Sequence, residues 1–538
     1  MYAESCKKLV CGRAAAAGLL LPLLVLVVLK TDFLPQVTHV GEASITQIPD
    51  FFFSLRPYGR VPLLKTNKVQ YPSATKENVD QSVTQDQKVS SPDSIEEAPQ
   101  SPASGDKITG DGAGATKDRK HEKEFLANNG ETDAFSQNTD VAAPRSKLRC
   151  DFSNARMDIC AMEGDVRMHG KSATVYVVAA SDDSYRPVNG TVTIHPYTRK
   201  WEVHTMQMVR KVTIHSSAPI VTTYDPAPPR CTVAHDIPAV AFSTTNAYSE
   251  NFFHAMDDII IPLYNTAREY NGHVQLVATN YNRKWIEKYR HILVALSIYP
   301  IIDFDADEAV RCFPSIHLGI ESHDELMINP ALSRKGYSMM DFREFLRSAY
   351  SLKHAWADPV NQRSGKRPRL VMVLRRRSRA ITNEVEAIAT AIEVGFEVVA
   401  AGPEMVQDVA QFAEVVNSCN VMVGVHGAGL TNMMFLPHNG TMMQIIPWGH
   451  MRDICWHEFG RSLPDMGLRY VEYEVTAEET TLKEVYPKDH AIFTDPISIH
   501  KQGFTRLWEI FLNGQNITLD IDRFRGVMQQ VYRSVTIT

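Results

Sequence analysis

Hydrophobic positions along the chain fall into three regimes. Ala14 to Leu29 is an almost unbroken apolar run. With Leu9 to Cys11 added and Arg13 snorkelling to the surface, it reaches roughly the ~20 residues of a membrane-spanning helix. From about Thr66 to Arg145 the apolar period dissolves into Ser, Thr, Asp, Gln, Gly, Pro and Lys, without Trp or Cys. Such a stretch cannot bury enough apolar surface to offset the entropy of ordering it, so disorder is expected. From Cys150 onwards, short apolar runs return with periods of two and of about 3.6 residues.

Within that last regime, Ala173 to Val178 and Thr191 to Ile194 alternate as strands do. After a Pro-rich loop, Asp225 to Arg230, the pattern predicts a strand over Val274 to Ala278 and helices over Lys284 to Leu296 and Asp341 to Ser351. Asp358 to Pro368 is polar, carries two prolines and reads as a linker. Beyond it strands and helices alternate. Leu370 to Leu374 is a strand, followed by a helix that Asn383 and Glu386 open as a capping box, with Val385, Ile388, Ala389 and Ile392 on its apolar face. Gly395 ends it. Phe396 to Val399 is the next strand, and Met405, Val409, Phe412 and Val416 mark another amphipathic helix. The apolar runs Val421 to Val425 and Thr441 to Ile446 complete the set, and alternation of this kind implies a parallel sheet. Phe524, Val527, Met528, Val531 and Tyr532 form the stripe of a docked C-terminal helix.

A chain of 538 residues is too long for one core, so two domains plus accessory segments are expected. The net charge of −6 contains no basic block, which argues against a nucleic-acid partner. Lys7, Lys8 and Arg13 place the short N-terminal side in the cytoplasm and the remainder in the lumen. Val28-Leu29-Lys30-Thr31-Asp32 is a poor signal-peptidase site, which favours an uncleaved signal anchor over a cleaved leader. The expected organisation is a cytoplasmic tail (1–13), a transmembrane anchor (14–30), a stem (31–147), an N-terminal lobe (148–357), a linker (358–368) and a C-terminal lobe (369–538). Cys6 and Cys11 precede the apolar run. Cys150, Cys160, Cys231, Cys312, Cys419 and Cys455 follow it and allow 15 pairings. There is no C-x-x-C pair to suggest zinc, and sequons at Asn189, Asn439 and Asn516 fit secretory passage.

Candidate chemistry lies in four stretches. Val421 to Val425 runs into His426-Gly427-Ala428-Gly429, and Leu430 to Phe435 then has helix-forming composition. A strand, a glycine-rich turn and a helix are how α/β proteins present backbone N–H groups to phosphate, although glycine turns also occur without a ligand. Asn251, His254 and Asp258 share one helical face, with Phe252, Met256, Ile259 and Leu263 on the other. A His and a carboxylate there suit a general base; a solvated helix start is the plainer reading. Arg375-Arg376-Arg377-Ser378-Arg379 follows a predicted strand, where guanidinium forks suit a diphosphate or form an ordinary basic loop. Asp303, Asp305 and Asp307 have metal-binding spacing, but read more simply as a surface loop.

Together these stretches resemble glycosyltransferase family 61, from about Cys150 to the C-terminus. Val423 to Pro437 is similar to the family's signature segment, Asn251-x-Phe253-His254 with Asp258 and Pro262 to its N-x-[FY]-H…D…P element, and Arg375-x-x-Ser378-Arg379 with Asn383 to its R-x-x-S-R…N element. Cys312-Phe313-Pro314, Trp285 with Tyr289, and Gln444 to Pro447 also fall where the family would put them. The sequence departs from the common plant pattern at Ala255-Met256 and at Arg377, two places where acceptor or donor choice is open to tuning.

The resemblance implies an α/β fold of two Rossmann-like lobes (the GT-B type) in a single-pass type II Golgi membrane enzyme. It implies inverting transfer of xylose or arabinofuranose from a UDP-sugar to xylan, without a metal or other cofactor. Transfer of β-1,2-xylose to N-glycans is the alternative, and a catalytically inactive Golgi glycan-binding or scaffold protein is the alternative of another class. A secreted hydrolase fits less well, for want of a G-x-S-x-G element. Partners implied are the UDP-sugar, a polysaccharide or glycan acceptor, the Golgi membrane and other Golgi glycosyltransferases. The nucleotide-sugar site implied comprises Arg375, Ser378, Arg379, Asn383, His426, Gly427, Ala428, Gly429, Leu430 and Asn432. The base expected is Asp258, with His254 orienting it or substituting for it and the neighbouring Asp257 not separated from it.

Overall fold

A computed structural model describes residues 146–178, 190–217, 227–244, 248 and 250–537. The expected tail and anchor, nearly all of the stem and the sequon at Asn189 lie outside the described residues. Among the described residues, no helix is long and apolar enough to cross a membrane.

Ten strands form the first sheet: β1 (Lys147–Asp151), β2 (Ile159–His169), β3 (Thr174–Val178), β4 (Gly190–Ile194), β5 (Val212–Ser217), β6 (Val233–Ala234), β7 (Ala239–Ser243), β8 (Gln275–Thr279), β9 (Ile302–Asp303) and β10 (Val310–Leu318). Their order is β4-β5-β3-β2-β10-β7-β8-β9, with β1 added to β2 and β6 to β10. The sheet is mixed: β7, β8 and β9 run parallel, while β2 is antiparallel to β1, β3 and β10. Disulfides join Cys150 to Cys160 across β1 and β2, and Cys231 to Cys312. Cys419 and Cys455 remain buried thiols.

In the polar segment 358–368, β11 (Val360–Asn361) pairs with β17 (Thr536–Ile537), tying this stretch to the chain's end. The second sheet comprises β12 (Arg369–Val373), β13 (Glu397–Ala401), β14 (Val421–Val425), β15 (Thr441–Ile446) and β16 (Arg469–Glu474), all parallel in the order β13-β12-β14-β15-β16. The chain leaves β12 for β13 on one side and returns to β14 on the other. A crevice therefore opens between the C-terminal ends of β12 and β14, where open α/β sheets bind ligands. One apolar cluster reaches from Val240 and Phe242 of the first sheet through Ile259 and Phe342 to Val371, Val416, Met433 and Phe459.

Four local expectations change. Asn383 precedes the helix Glu384–Val394 but makes no side-chain cap; its Oδ1 accepts from Leu519 N (2.9 Å) instead. That helix buries Ala387, Thr390 and Ala391 and leaves Val385 76% and Ile392 44% exposed, the reverse of the predicted face. The small side chains let the C-terminal helix Ile521–Ser534 approach closely: Ala387 and Ala391 share a core with Phe524, Met528 and Val531, and Tyr532 lies 2.8 Å from where a Cβ on Gly395 would sit. The helix expected over 284–296 is two, Arg283–Lys288 and Arg290–Leu296, breaking at the buried Tyr289. The amphipathic stretch through Met405 and Val416 is likewise split, because Asp408 accepts from Gln411 N and starts a new helix, Val409–Asn417.

Candidate active site

The crevice between β12 and β14 is built from two loops. After β14, Gly427 adopts φ +141°, a conformation open to glycine, and Ala428–Phe435 continues as a 3₁₀ helix in place of the expected α-helix. The first N–H groups of such a turn have no acceptor within it. Asn432 Nδ2 donates back to Gly429 O (3.0 Å), and Leu430 N to Gly427 O (2.9 Å), which hold the turn. The Arg375 guanidinium lies directly against Gly427, where a Cβ would collide with Nη1. Its Nε donates to the carbonyl of the buried Ser378 (2.9 Å).

Arg379, at φ +55°, is anchored through its backbone N to Gln515 O (2.6 Å). Its Nε is buried without a hydrogen-bond partner. Among the described residues neither Arg375 nor Arg379 has a carboxylate within ion-pair distance. Burial, with the charge of Arg375, lowers the pKa of Arg379, but a guanidinium keeps its charge. Two partly buried cations without counter-ions, beside orphan N–H groups, form a site suited to an anion.

His426 is buried and neutral: burial first, then Arg379 and Arg375, push its pKa well below the usual value. Tyr470 OH donates to Gln444 Oε1 (2.6 Å), which turns the Gln444 amide nitrogen toward His426 Nδ1 (2.8 Å). Nδ1 therefore accepts, and the proton rests on Nε2, 3.3 Å from Glu458 Oε2.

The second part of the site is the segment from Asn251. Asn251 caps it by accepting from Phe253 N, Phe252–His254 is a turn of α-helix, Ala255–Ile260 widens to a π-helix, and Ile261–Ala267 is α-helical again. Insertions of this kind are frequent at functional sites. Asp258 is fully buried and accepts from Tyr197 OH (2.7 Å), Arg199 Nε (2.9 Å) and His254 Nδ1 (3.1 Å). Burial alone would raise its pKa, but Arg199, His254 and Tyr197 outweigh burial and hold it below the usual carboxylate range. Asp257 faces the other way, taking Leu326 N (2.6 Å) and Arg156 Nη2 (3.2 Å), and burial raises it. His254 stacks on Tyr248 (4.6 Å), keeps 16% of its side chain exposed, and its Nε2 has no hydrogen bond among the described residues.

The Phe252–His254 turn packs against the 3₁₀ helix Ala428–Phe435. Phe459 spans the junction, edge-on to Phe253 (5.6 Å) and to His426 (5.6 Å). The structure thus brings together His254, Asp258, Arg375, Ser378, Arg379 and the 426–432 turn. It does not bring in Asn383, whose Nδ2 is also spent, on Leu519 O (2.9 Å) and Glu386 (3.2 Å). Tyr197, Arg199 and Glu458 were not legible, since each reaches the site from a stretch without a motif. Ala255 and Met256 lie in the core, whereas Arg377 is exposed.

The Asp303–Asp307 loop uses its carboxylates internally: Asp303 on Asp305 N and Ala306 N, Asp305 on Arg210, Asp307 on Arg311. Asp165, Cys231 and Cys312 cluster at ligand spacing, but both sulfurs are in the disulfide. Asn439 and Asn516 are half-buried, with side chains bonded to Ala357 O (3.4 Å) and Ala380 N (3.0 Å).

The family model described as Glycosyltransferase 61 matches residues 252–443. A beta-1,2-xylosyltransferase of Oryza sativa subsp. japonica is 40% identical over 408 residues, 73% of this chain and 86% of the relative. An alpha-1,3-arabinosyltransferase of the same organism is 41% identical over 383 residues, 71% and 64% of the two chains. A xylan glycosyltransferase of Arabidopsis thaliana is 34% identical over 399 residues, 72% and 79%.

Proposed function

The chain belongs to glycosyltransferase family 61, and from that premise we propose that it moves a pentose, xylose or arabinofuranose, from a UDP-sugar to xylan with inversion. It is a glycosyltransferase. The observation that carries the donor assignment is the pair Arg375, set against the Gly427 turn at the switch point of the parallel sheet, and Arg379 on the same loop, neither of them ion-paired among the described residues. In this reading the UDP diphosphate supplies the missing anion, and the orphan N–H groups of the turn share its charge. The two guanidinium groups stabilise the leaving phosphate without a divalent ion. Ser378 and Asn383 act by shaping the arginine loop.

Inversion needs a base that removes the acceptor hydroxyl proton as the hydroxyl attacks. Asp258 is enclosed by three donors and holds its charge, so it is a poor proton acceptor and a good orienter. His254, with Nδ1–H on Asp258 and Nε2 without a hydrogen bond among the described residues, is the base in our reading. Of the two expected arrangements, Asp258 as base with His254 orienting it or His254 in its place, this reading takes the second. The rest of the assignment follows the same proposal: two lobes of GT-B type divided near residues 358–368, a type II Golgi anchor at residues 14–30 ahead of a stem, glycans at Asn189, Asn439 and Asn516, and assembly with other Golgi transferases.

The test uses the full-length chain, solubilised from a secretory host, with UDP release measured from UDP-xylose and UDP-arabinofuranose on xylo-oligosaccharides in EDTA. Turnover with either donor is expected. Turnover that EDTA abolishes would refute the metal-free reading, and silence with both donors would refute pentosyl transfer to xylan.

A further inference from the structure

Glu458 ends the helix Arg452–Glu458 and has no part in the roles assigned above. Its Oε2 lies 3.3 Å from Nε2 of His426, the residue that opens the glycine turn. The charges that act on it come from four other segments. Arg379 comes from the loop after β12, Arg199 from the segment before the helix Val203–Met208, Glu325 from the segment after β10, and Asp257 from the π-helix. Cys455 and His457 flank it on its own helix; the Cys455 thiol is pushed up by burial, and His457 is pushed down by burial and pairs with Glu325 (3.6 Å). His426 is neutral and brings no charge to it.

A diphosphate at Arg375 and Arg379 would therefore place two further negative charges beside a carboxyl that already faces two others. We propose that Glu458 is a donor-site residue that joins the complex as the neutral acid, so that UDP binding and protonation of Glu458 are linked. This rests on the diphosphate reading above. As a neutral acid Glu458 accepts the His426 N–H on one oxygen and offers its own O–H to the crevice, without repelling the phosphates. The free site is already biased the same way: burial and then Glu325, against Arg199 and Arg379, push the carboxyl up to about 8.

Linkage sets the signature. Below the carboxyl's own titration, Glu458 adds no pH dependence to UDP affinity. Above it, a proton must be taken up on binding and Kd rises by about tenfold per pH unit. The experiment is calorimetric titration of the full-length, solubilised chain with UDP at pH 6.5 and 8.8, each in two buffers of different ionisation enthalpy. Relative to Glu458→Gln, which carries any ionisation of the UDP terminal phosphate itself, the wild type is expected to take up no further proton at pH 6.5 and most of one at pH 8.8. Glu458→Gln should bind UDP with no linked proton at pH 8.8, where the UDP terminal phosphate is fully ionised. Glu325→Gln, by removing a neighbouring carboxylate, should move the break to lower pH with binding intact, a shift that a merely structural role for Glu458 would not produce. UDP binding with no proton uptake at pH 8.8, or uptake that persists in Glu458→Gln, overturns the inference while leaving the diphosphate site standing. Absence of UDP binding to the wild type at both pH values overturns the diphosphate reading and this inference with it.

Discussion

Replacing Asp258 by Asn tests the division of labour at the acceptor side. The carboxylate accepts from Tyr197, Arg199 and His254 at 2.7, 2.9 and 3.1 Å, with no exposed surface. An amide of the same shape must turn its NH₂ toward one of these donors. If it faces His254, Nδ1 must accept, the ring proton moves to Nε2, and the atom facing the opening can no longer take a proton. Loss of a positioned base costs about 10²- to 10⁴-fold in rate, and that is the expected fall in kcat. The donor KM should stay within about twofold, because Arg375 and Arg379 are untouched. Removing one partner of a buried ion pair costs about 3–5 kcal/mol. Arg199 retains Glu202, so the low end, about 3 kcal/mol, is expected, which an ordinary stability of about 5–15 kcal/mol tolerates. Initial rates of UDP release, with thermal unfolding of the same preparations, separate the two effects. Since His254 and Asp258 act as one unit, the double variant His254→Ala/Asp258→Asn should be no slower than His254→Ala alone, within about threefold. Near-normal kcat in folded Asp258→Asn, or losses that multiply in the double variant, would refute the His–Asp pairing.

Other perturbations report on other parts of the site. Arg375→Ala and Arg379→Ala should each weaken UDP binding by about 10- to 100-fold, the value of a charge-assisted bond, with Arg379→Lys recovering only part for want of a planar fork; calorimetry with UDP checks this. Glu458→Gln should change stability with pH. The folded carboxyl sits at about 8, above the ~4.3 of an unfolded Glu, so its contribution is intact below pH 4.3 and is lost as pH rises through 8. The variant should match wild type in denaturant at pH 5 and exceed it by about 1–2 kcal/mol at pH 8.5, after discounting for the 27% of the side chain that water reaches. Arg343 donates to the carbonyls of Met434, Leu436 and Met466 from the helix Met339–Ala349, and Arg343→Met should cost about 3–5 kcal/mol by leaving these acceptors unpaired, read as a lowered Tm. Phe459→Leu should lower kcat by about tenfold or more with little change in donor KM, since sub-ångström misplacement between base and donor is costly; steady-state kinetics on both substrates checks it.

Parallel strands were legible from their continuous apolar runs: β14 and β15 fall where Val421 to Val425 and Thr441 to Ile446 predict them. The C-terminal helix was legible too, because Phe524, Met528 and Val531 repeat at helical spacing and are buried together. Helix faces were less so. In Glu384–Val394 two stripes satisfy the same period, and the choice falls on the smaller side chains because a neighbouring helix must come close, a fact of tertiary structure that periodicity does not contain. The same limit applies at the site. Motifs identified His254, Arg375 and His426, but Asp258 is held by Tyr197 and Arg199 from some 60 residues upstream, and His426 faces a glutamate on a helix without any distinguishing pattern. Side chains that set a neighbour's protonation need only be near it in space, so sequence spacing carries no trace of them.

The placement of Phe459 constrains how specificity can vary in such a protein. Because it packs on Phe253 and on His426, the separation between the proposed base His254 and the proposed donor turn is fixed by core packing, not by a loop. Relatives named for xylosyl and for arabinosyl transfer resemble this chain to nearly the same degree, 40% and 41% identity. Discrimination between two pentoses requires only the ~1–3 kcal/mol that a few pocket contacts supply. The two departures from the family's plant pattern then act by different routes. Ala255 and Met256 have no exposed surface, so they can influence an acceptor only by shifting His254, which would change kcat for every acceptor alike. Arg377 is exposed on the same loop as Arg375 and Arg379, the proposed diphosphate ligands, and can touch a ligand directly. Selectivity, as distinct from rate, is therefore to be sought at Arg377 and at the exposed rim of the crevice, and not in the buried helix that carries the base.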